Sequence, residues 1–350
     1  MSRQSTVSKR SAGIAAAAGA GVAAGLAAGV VVQRRRMREV SRDPDYLALT
    51  APLGGEHLPV VSADGTRLYA RVFDGAGATV VLAHGWTERL TLWGPVIAML
   101  RRRGLRVVAY DLRGHGRSQA AADGDYSIER FGDDVEAVLA AAGSAAAETV
   151  VVGHSLGGMS IVAWAARHEV SDRVAGAAMT NAGVDDLIGG ALVLGELGKW
   201  VNPRWLGRAL LGSSAPMVPL STPLQDAATR YVAFGPSATR GQVAFYERML
   251  MDTPPGARAA TGLALSDLNL GSALARLAVP TLVIAGDRDR LTPAAHSQRI
   301  VRALPDPAGL IVLKETGHMS PLERPREVAD AIADLTNTVT RVAATTRAVA

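Results

Sequence analysis

The sequence predicts an α/β fold: a mostly parallel, eight-stranded sheet with helices on both faces and a helical cap insertion, preceded by an N-terminal transmembrane helix. Three observations predict it. From about residue 58, short apolar, β-branched runs each end in Gly, Asp or Ser and give way to a stretch of helical period. Between Val184 and about Leu277 those strand signals stop. Ahead of both, Ala12 to Val32 carries no polar or charged side chain over 21 residues, enough helix at 1.5 Å per residue to span about 30 Å of hydrocarbon.

The N-terminal run is ten Ala, five Gly and six larger aliphatics, so its insertion free energy is modest. Arg34, Arg35 and Arg36 follow it directly, with no small-residue cleavage site ahead of a mature-looking start, which favours an uncleaved single-pass anchor over a signal peptide. Basic residues are more numerous after the run than before it, which places the body on the cytoplasmic side. The expected units are a basic tail and anchor over 1–45, a first core part over 46–183, a cap over 184–277, a second core part over 278–335 and a tail over 336–350.

Candidate strands are Leu58 to Ser62, Leu68 to Phe73, Thr79 to Ala83, Arg106 to Tyr110, Thr149 to Val152, Val174 to Met179, Thr281 to Ala285 and Leu310 to Leu313. Ala63-Asp64-Gly65 separates the first two as a hairpin signal, so the sheet opens antiparallel and then runs parallel. The 184–277 stretch reads as helical fragments broken by Pro203, Pro216, Pro219, Pro223 and Pro236. Its six aromatics and three methionines suit a cap over the carboxyl ends of the strands, where open α/β sheets bind ligands.

Composition excludes several functions. With 48% hydrophobic and 20% charged residues in 350, the chain has material for a core and too little charge for disorder. Zero cysteines exclude disulfides, thiolate metal sites and a cysteine nucleophile. The net charge of +5 lies wholly in residues 1–45, which hold eight of the 37 basic and three of the 32 acidic side chains, leaving 29 of each elsewhere. A neutral body lacks the phosphate-neutralising surface that nucleic-acid binding needs. No Gly-rich loop matches a nucleotide motif and no His/carboxylate spacing suggests a metal, so no cofactor is expected.

Chemistry concentrates at three strand ends. Val150-Val151-Val152-Gly153-His154-Ser155-Leu156-Gly157-Gly158 holds the pattern Gly-x-Ser-x-Gly between a buried strand and a helical run. There a serine sits on a strained turn that lifts its hydroxyl clear, and a Cβ on either flanking glycine would meet backbone. A serine hydroxyl needs a base to take its proton and a carboxylate to hold that base. The strand Thr281 to Ala285 runs into Gly286-Asp287-Arg288-Asp289, and the last strand into Glu315-Thr316-Gly317-His318. Serine, acid and histidine thus follow one another in the chain order nucleophile, acid, base. His154 reads as structural beside the nucleophile, and His84 and His115 as loop-fixing hydrogen-bonders.

Over about residues 58 to 335 the chain resembles the α/β-hydrolase superfamily, in its cap-bearing esterase and lipase-like branch. Leu82-Ala83-His84-Gly85-Trp86 resembles the family's oxyanion loop, which implies the backbone N–H groups of Trp86 and Leu156 as oxyanion donors. Asp111-Leu112-Arg113-Gly114-His115-Gly116-Arg117-Ser118 resembles its structural turn, and its Gly-x2-Asp-x3-Pro pattern falls on Gly286, Asp289 and Pro293, selecting Asp289 over Asp287. The resemblance implies a serine hydrolase with Ser155 as nucleophile, His318 as base and Asp289 as acid, acting on a small-molecule ester or lipid. The alternatives are a carbon–carbon hydrolase or cofactor-free perhydrolase (haloperoxidase) with the same triad and, in another class, a non-catalytic membrane-tethered binding protein. Oligomeric state, acyl chain length and natural substrate stay open.

Overall fold

Eight strands form one sheet in the computed structural model, which describes residues 31, 33–191, 203–215 and 223–349. They are β1 (Glu56–Val61), β2 (Arg67–Phe73), β3 (Thr79–Ala83), β4 (Arg106–Tyr110), β5 (Thr149–His154), β6 (Gly176–Thr180), β7 (Thr281–Gly286) and β8 (Pro307–Leu313), in the order β1-β2-β4-β3-β5-β6-β7-β8. β2 is antiparallel to both its neighbours and every other pairing is parallel. Gly65, at φ +86°, closes the β1–β2 hairpin.

Every residue of β3, β5, β6 and β7 is buried, as strands covered on both faces must be. Alternation divides them between two cores. Val81, Val108, Val151, Ala177 and Val283 face the helices Ile128–Ala142 and Leu156–Ala165. Val80, Val107, Val152, Ala178 and Ile284 face Gly94–Arg102 and Pro325–Val349. β8 begins three residues before its expected start because a register shift against β7 at Thr281/Leu282, with Gly309 at φ +140°, lets Pro307 pair with Thr281.

Between β6 and β7 the described chain forms the helices Pro203–Leu211, Pro223–Ala233, Arg240–Asp252 and Pro255–Ser266. Pro203 and Pro223, expected as breaks, instead stand first in their helices, where the fixed φ suits the turn and the missing N–H has no partner to lose. Pro216 and Pro219 lie outside the described residues. The C-terminal helix runs on through the expected tail to Val349, and Thr336 and Val339 are buried, with Val339 against Gly176.

The membrane localisation expected from the N-terminal run requires correction. No helix among the described residues is long and apolar enough to cross a membrane, and the run 12–32 lies outside those residues except for Val31. The basic segment behind it, expected to flank an anchor, docks on the protein. Arg36 Nη2 lies 2.6 Å from Asp226 Oδ1 and 3.6 Å from buried Glu247. Asp43 caps the helix Pro44–Thr50, accepting from Asp45 N and Tyr46 N.

Candidate active site

The carboxyl end of β5, the loop after β7 and the loop after β8 bring Ser155, Asp289 and His318 to one edge of the sheet. Ser155 follows β5 directly and begins the turn into the helix Leu156–Ala165 at φ 48°, ψ −115°, a conformation that costs a non-glycine residue on the order of 1–3 kcal/mol. The residues two positions to either side, Gly153 and Gly157, are glycines because the space around them is filled by backbone. A Cβ on Gly153 would stand 2.3 Å from the Gly157 carbonyl carbon, and one on Gly157 would stand 2.4 Å from Ala83 O. The turn is tight because strand β3, the elbow and the helix meet backbone to backbone. Thr87 at φ 60° and Asn181 at φ 49° share the strained left-handed region at the same sheet edge.

Asp289 Oδ2 lies 2.9 Å from His318 Nδ1. This carboxylate is saturated: Leu291 N and Thr292 N donate to Oδ1 at 2.9 Å each, and Thr292 Oγ1 and Asn181 Nδ2 to Oδ2 at 2.8 and 2.9 Å. Burial pushes its pKa up, but His318 and these donors outweigh burial and hold it below the usual carboxylate range. Asp287 serves elsewhere, accepting from Thr316 N at 3.2 Å. With Nδ1 committed to Asp289, Nε2 is the ring nitrogen of His318 left to face a hydroxyl. The half-buried Ser155 hydroxyl makes no hydrogen bond to another described residue.

Trp86 lies in the loop after β3, and Leu156 opens the elbow helix. Neither backbone N–H donates to another described group. The loop is fixed from below. Glu88 Oε2 accepts from Gly85 N at 2.5 Å and lies 3.0 Å from His154 Nδ1, while His154 Nε2 lies 2.8 Å from the His318 carbonyl oxygen. His84 Nε2 accepts from Leu112 N at 2.9 Å, so its proton is on Nδ1, which donates to Gly85 O. Burial, with His115 nearby, drives the His84 pKa well below the ordinary value. Behind the loop, buried Arg113 grips Asp134 at 2.8 and 2.7 Å and Asp64 at 2.8 Å, anchoring the turn that carries Asp111.

The family model for the alpha/beta hydrolase fold matches residues 78–325. The chain belongs to this family. Among relatives of this α/β hydrolase, a non-heme haloperoxidase of Rhodococcus erythropolis is 29% identical over 265 residues, covering 74% of this chain and 92% of the relative. A monoacylglycerol lipase of Mycolicibacterium smegmatis is 32% identical over 230 residues, covering 63% of this chain and 74% of the relative. Among solved structures, an esterase from Rhodococcus sp. ECU1013 superposes with a TM-score of 0.65 at 25% identity, over 81% of this chain and 99% of that one.

Four residues around the site of this hydrolase escaped the sequence reading: Glu88, Asn181, Thr292 and Glu323. Each acts on backbone or on an already hydrogen-bonded partner, and Glu88, Asn181 and Glu323 each also reach a distant segment, so no motif advertises them. The available signals were faint. Asn181 is a polar residue directly after a wholly buried strand, and Thr292 stands three residues beyond Asp289, the spacing of a side chain that folds back on its own turn.

Proposed function

We propose that the protein hydrolyses carboxylic esters by acyl transfer through Ser155. The observation that carries this reading is the pairing of His318 Nδ1 with the buried, saturated Asp289, which leaves Nε2 as the base for a hydroxyl raised on a strained elbow. Ser155 Oγ attacks the ester carbonyl, its proton passes to His318 Nε2, and the imidazolium donates that proton to the departing alkoxide as the carbon–oxygen bond breaks. Water, deprotonated by the same nitrogen, then attacks the acyl-enzyme and releases the carboxylic acid. The N–H groups of Trp86 and Leu156 receive the oxyanion. In this reading Ser155 Oγ and His318 Nε2 stand within hydrogen-bonding reach in the substrate complex, as such pairs often do only there.

The helices between β6 and β7 act as the cap in this reading. The helix Pro255–Ser266 reaches the oxyanion loop, where Arg258 O accepts from Trp86 Nε1 at 3.1 Å and Gly262 sits against the indole. An indole wall packed on the apolar core favours an apolar acyl group. A series of p-nitrophenyl esters from acetate to palmitate tests this beside Ser155→Ala. Turnover that vanishes in the variant and peaks above acetate supports the reading, whereas a strong preference for acetate contradicts the apolar pocket.

One relative bears the name of a non-heme haloperoxidase, which favours a second reading in which a carboxylic acid and hydrogen peroxide exchange through the same serine. Ser155-dependent peracid formation exceeding ester hydrolysis would select it.

A further inference from the structure

The helix Ser320–Glu323 ends in a buried carboxylate that the proposed reaction does not use. Glu323 Oε1 accepts from Gly317 N at 3.0 Å, and Oε2 accepts from Gly235 N at 2.7 Å. These amides belong to different parts of the chain: Gly317 directly precedes His318, and Gly235 follows the helix Pro223–Ala233. The two segments meet so closely that neither tolerates a side chain. A Cβ on Gly317 would stand 2.4 Å from the Phe234 carbonyl carbon, and one on Gly235 would stand 2.4 Å from Glu315 O. Ala233 O accepts from His318 N at 2.9 Å and from Met319 N at 3.2 Å. Three successive N–H groups, of residues 317 to 319, are therefore held by Glu323 and by the end of that helix.

We infer that Glu323 is a positioning residue for His318: its carboxylate bridges the base-bearing loop to the exit of the helix Pro223–Ala233, fixing the imidazole in register with Asp289 and coupling it to the helical insertion. The inference rests on the reading of His318 as the general base. The two N–H groups point at the carboxylate from opposite segments, and only a group with two acceptor oxygens satisfies both. Burial pushes the Glu323 pKa up and the bonds from Gly235 and Gly317 pull it down, towards the anion that both donors favour, leaving it raised to about 7.

The test uses the full-length protein, its Glu323→Gln and Glu323→Ala variants, and a fluorophosphonate probe whose reaction with Ser155 needs the base but no identified ester. Gln keeps one acceptor and Ala keeps none, so the maximal inactivation rate should fall about tenfold in Gln and about a hundredfold in Ala, with the half-saturating probe concentration unchanged within about twofold. Amide exchange at Gly235 and Gly317 should quicken in both. Should Ala fail to fold, Gln carries the test, with its melting curve as the check. Unchanged exchange in Gln would remove the bridge. Faster exchange with an unchanged maximal rate, or a change confined to probe binding, would overturn the positioning role. A wild-type protein that the probe does not label at all would instead sink the reading of Ser155 as the nucleophile.

Discussion

Glu88 and His154 form a buried pair beneath the candidate active site, with Glu88 Oε2 3.0 Å from His154 Nδ1. The other ring nitrogen faces the His318 carbonyl oxygen at 2.8 Å. Both ring nitrogens thus face oxygens, an arrangement that favours the doubly protonated ring. Burial pushes its pKa down, yet Glu88 and the His318 carbonyl outweigh burial and leave it raised. One carboxylate thus holds both the loop after β3, through Gly85 N, and the imidazole behind His318.

Nitrogen-resolved NMR of the histidines checks this. His154 should stay doubly protonated as pH rises through 6.5, while His84 and His115, whose pKa values burial lowers, should already be neutral there. Because the folded value is raised, the stabilisation is complete below the unfolded pKa near 6.5 and is lost as pH climbs through the folded value. Glu88→Ala leaves the buried His154 Nδ1 and the Gly85 N–H unpartnered, and should cost about 3–5 kcal/mol in denaturant unfolding.

Asp289→Asn should lower kcat by about 10³- to 10⁴-fold with KM little changed, since an amide both misorients the ring and turns an NH₂ towards donors. The Asp289 carboxylate is held below its ordinary range, so its contribution to stability is present above the unfolded value near 3.8 and is lost as pH falls through the lower folded value. An acid limb of the rate profile near neutrality should therefore not come from Asp289. A wild-type limb that vanished in Asp289→Asn while turnover persisted would contradict this assignment.

Gly157→Ala should destabilise the protein by about 1–3 kcal/mol and depress activity beyond the stability loss, because the new methyl would press on Ala83 O and His84 O and displace the loop after β3 proposed to receive the oxyanion. Melting curves and ester turnover on the same samples separate the two effects.

Arg36→Ala should free the segment 33–50 from the helices Pro223–Ala233 and Arg240–Asp252. It removes the ion pairs to Asp226 and to Glu247, whose side chain is only 4% exposed, at a cost of about 1–3 kcal/mol. Limited proteolysis reads the release directly, as earlier cleavage near residues 33–50.

The sheet was legible because its central strands are buried on both faces, so a run such as Thr149–His154 reads as a strand from hydrophobicity alone. The elbow glycines were legible for the same local reason: their constraint lies within a few residues of Ser155. Register was not, since the β7–β8 shift depends on how two distant strands meet at Gly309. The supports of the site were invisible for a related reason. Glu88 and Glu323 satisfy backbone donors, which nearly every residue type supplies and no sequence pattern marks. The N-terminal arginines misled because composition records their charge and not their partners, and Arg36 finds Asp226 190 residues away.

In the proposed reaction Ser155 carries the acyl group. Turnover of a p-nitrophenyl ester, quenched with acid in the first turnovers and followed by peptide mass spectrometry, tests this most directly. The peptide containing Ser155 should gain the mass of the acyl group, and the gain should be absent in Ser155→Ala. Continued ester hydrolysis by Ser155→Ala, or an acyl group found on another residue, would contradict it.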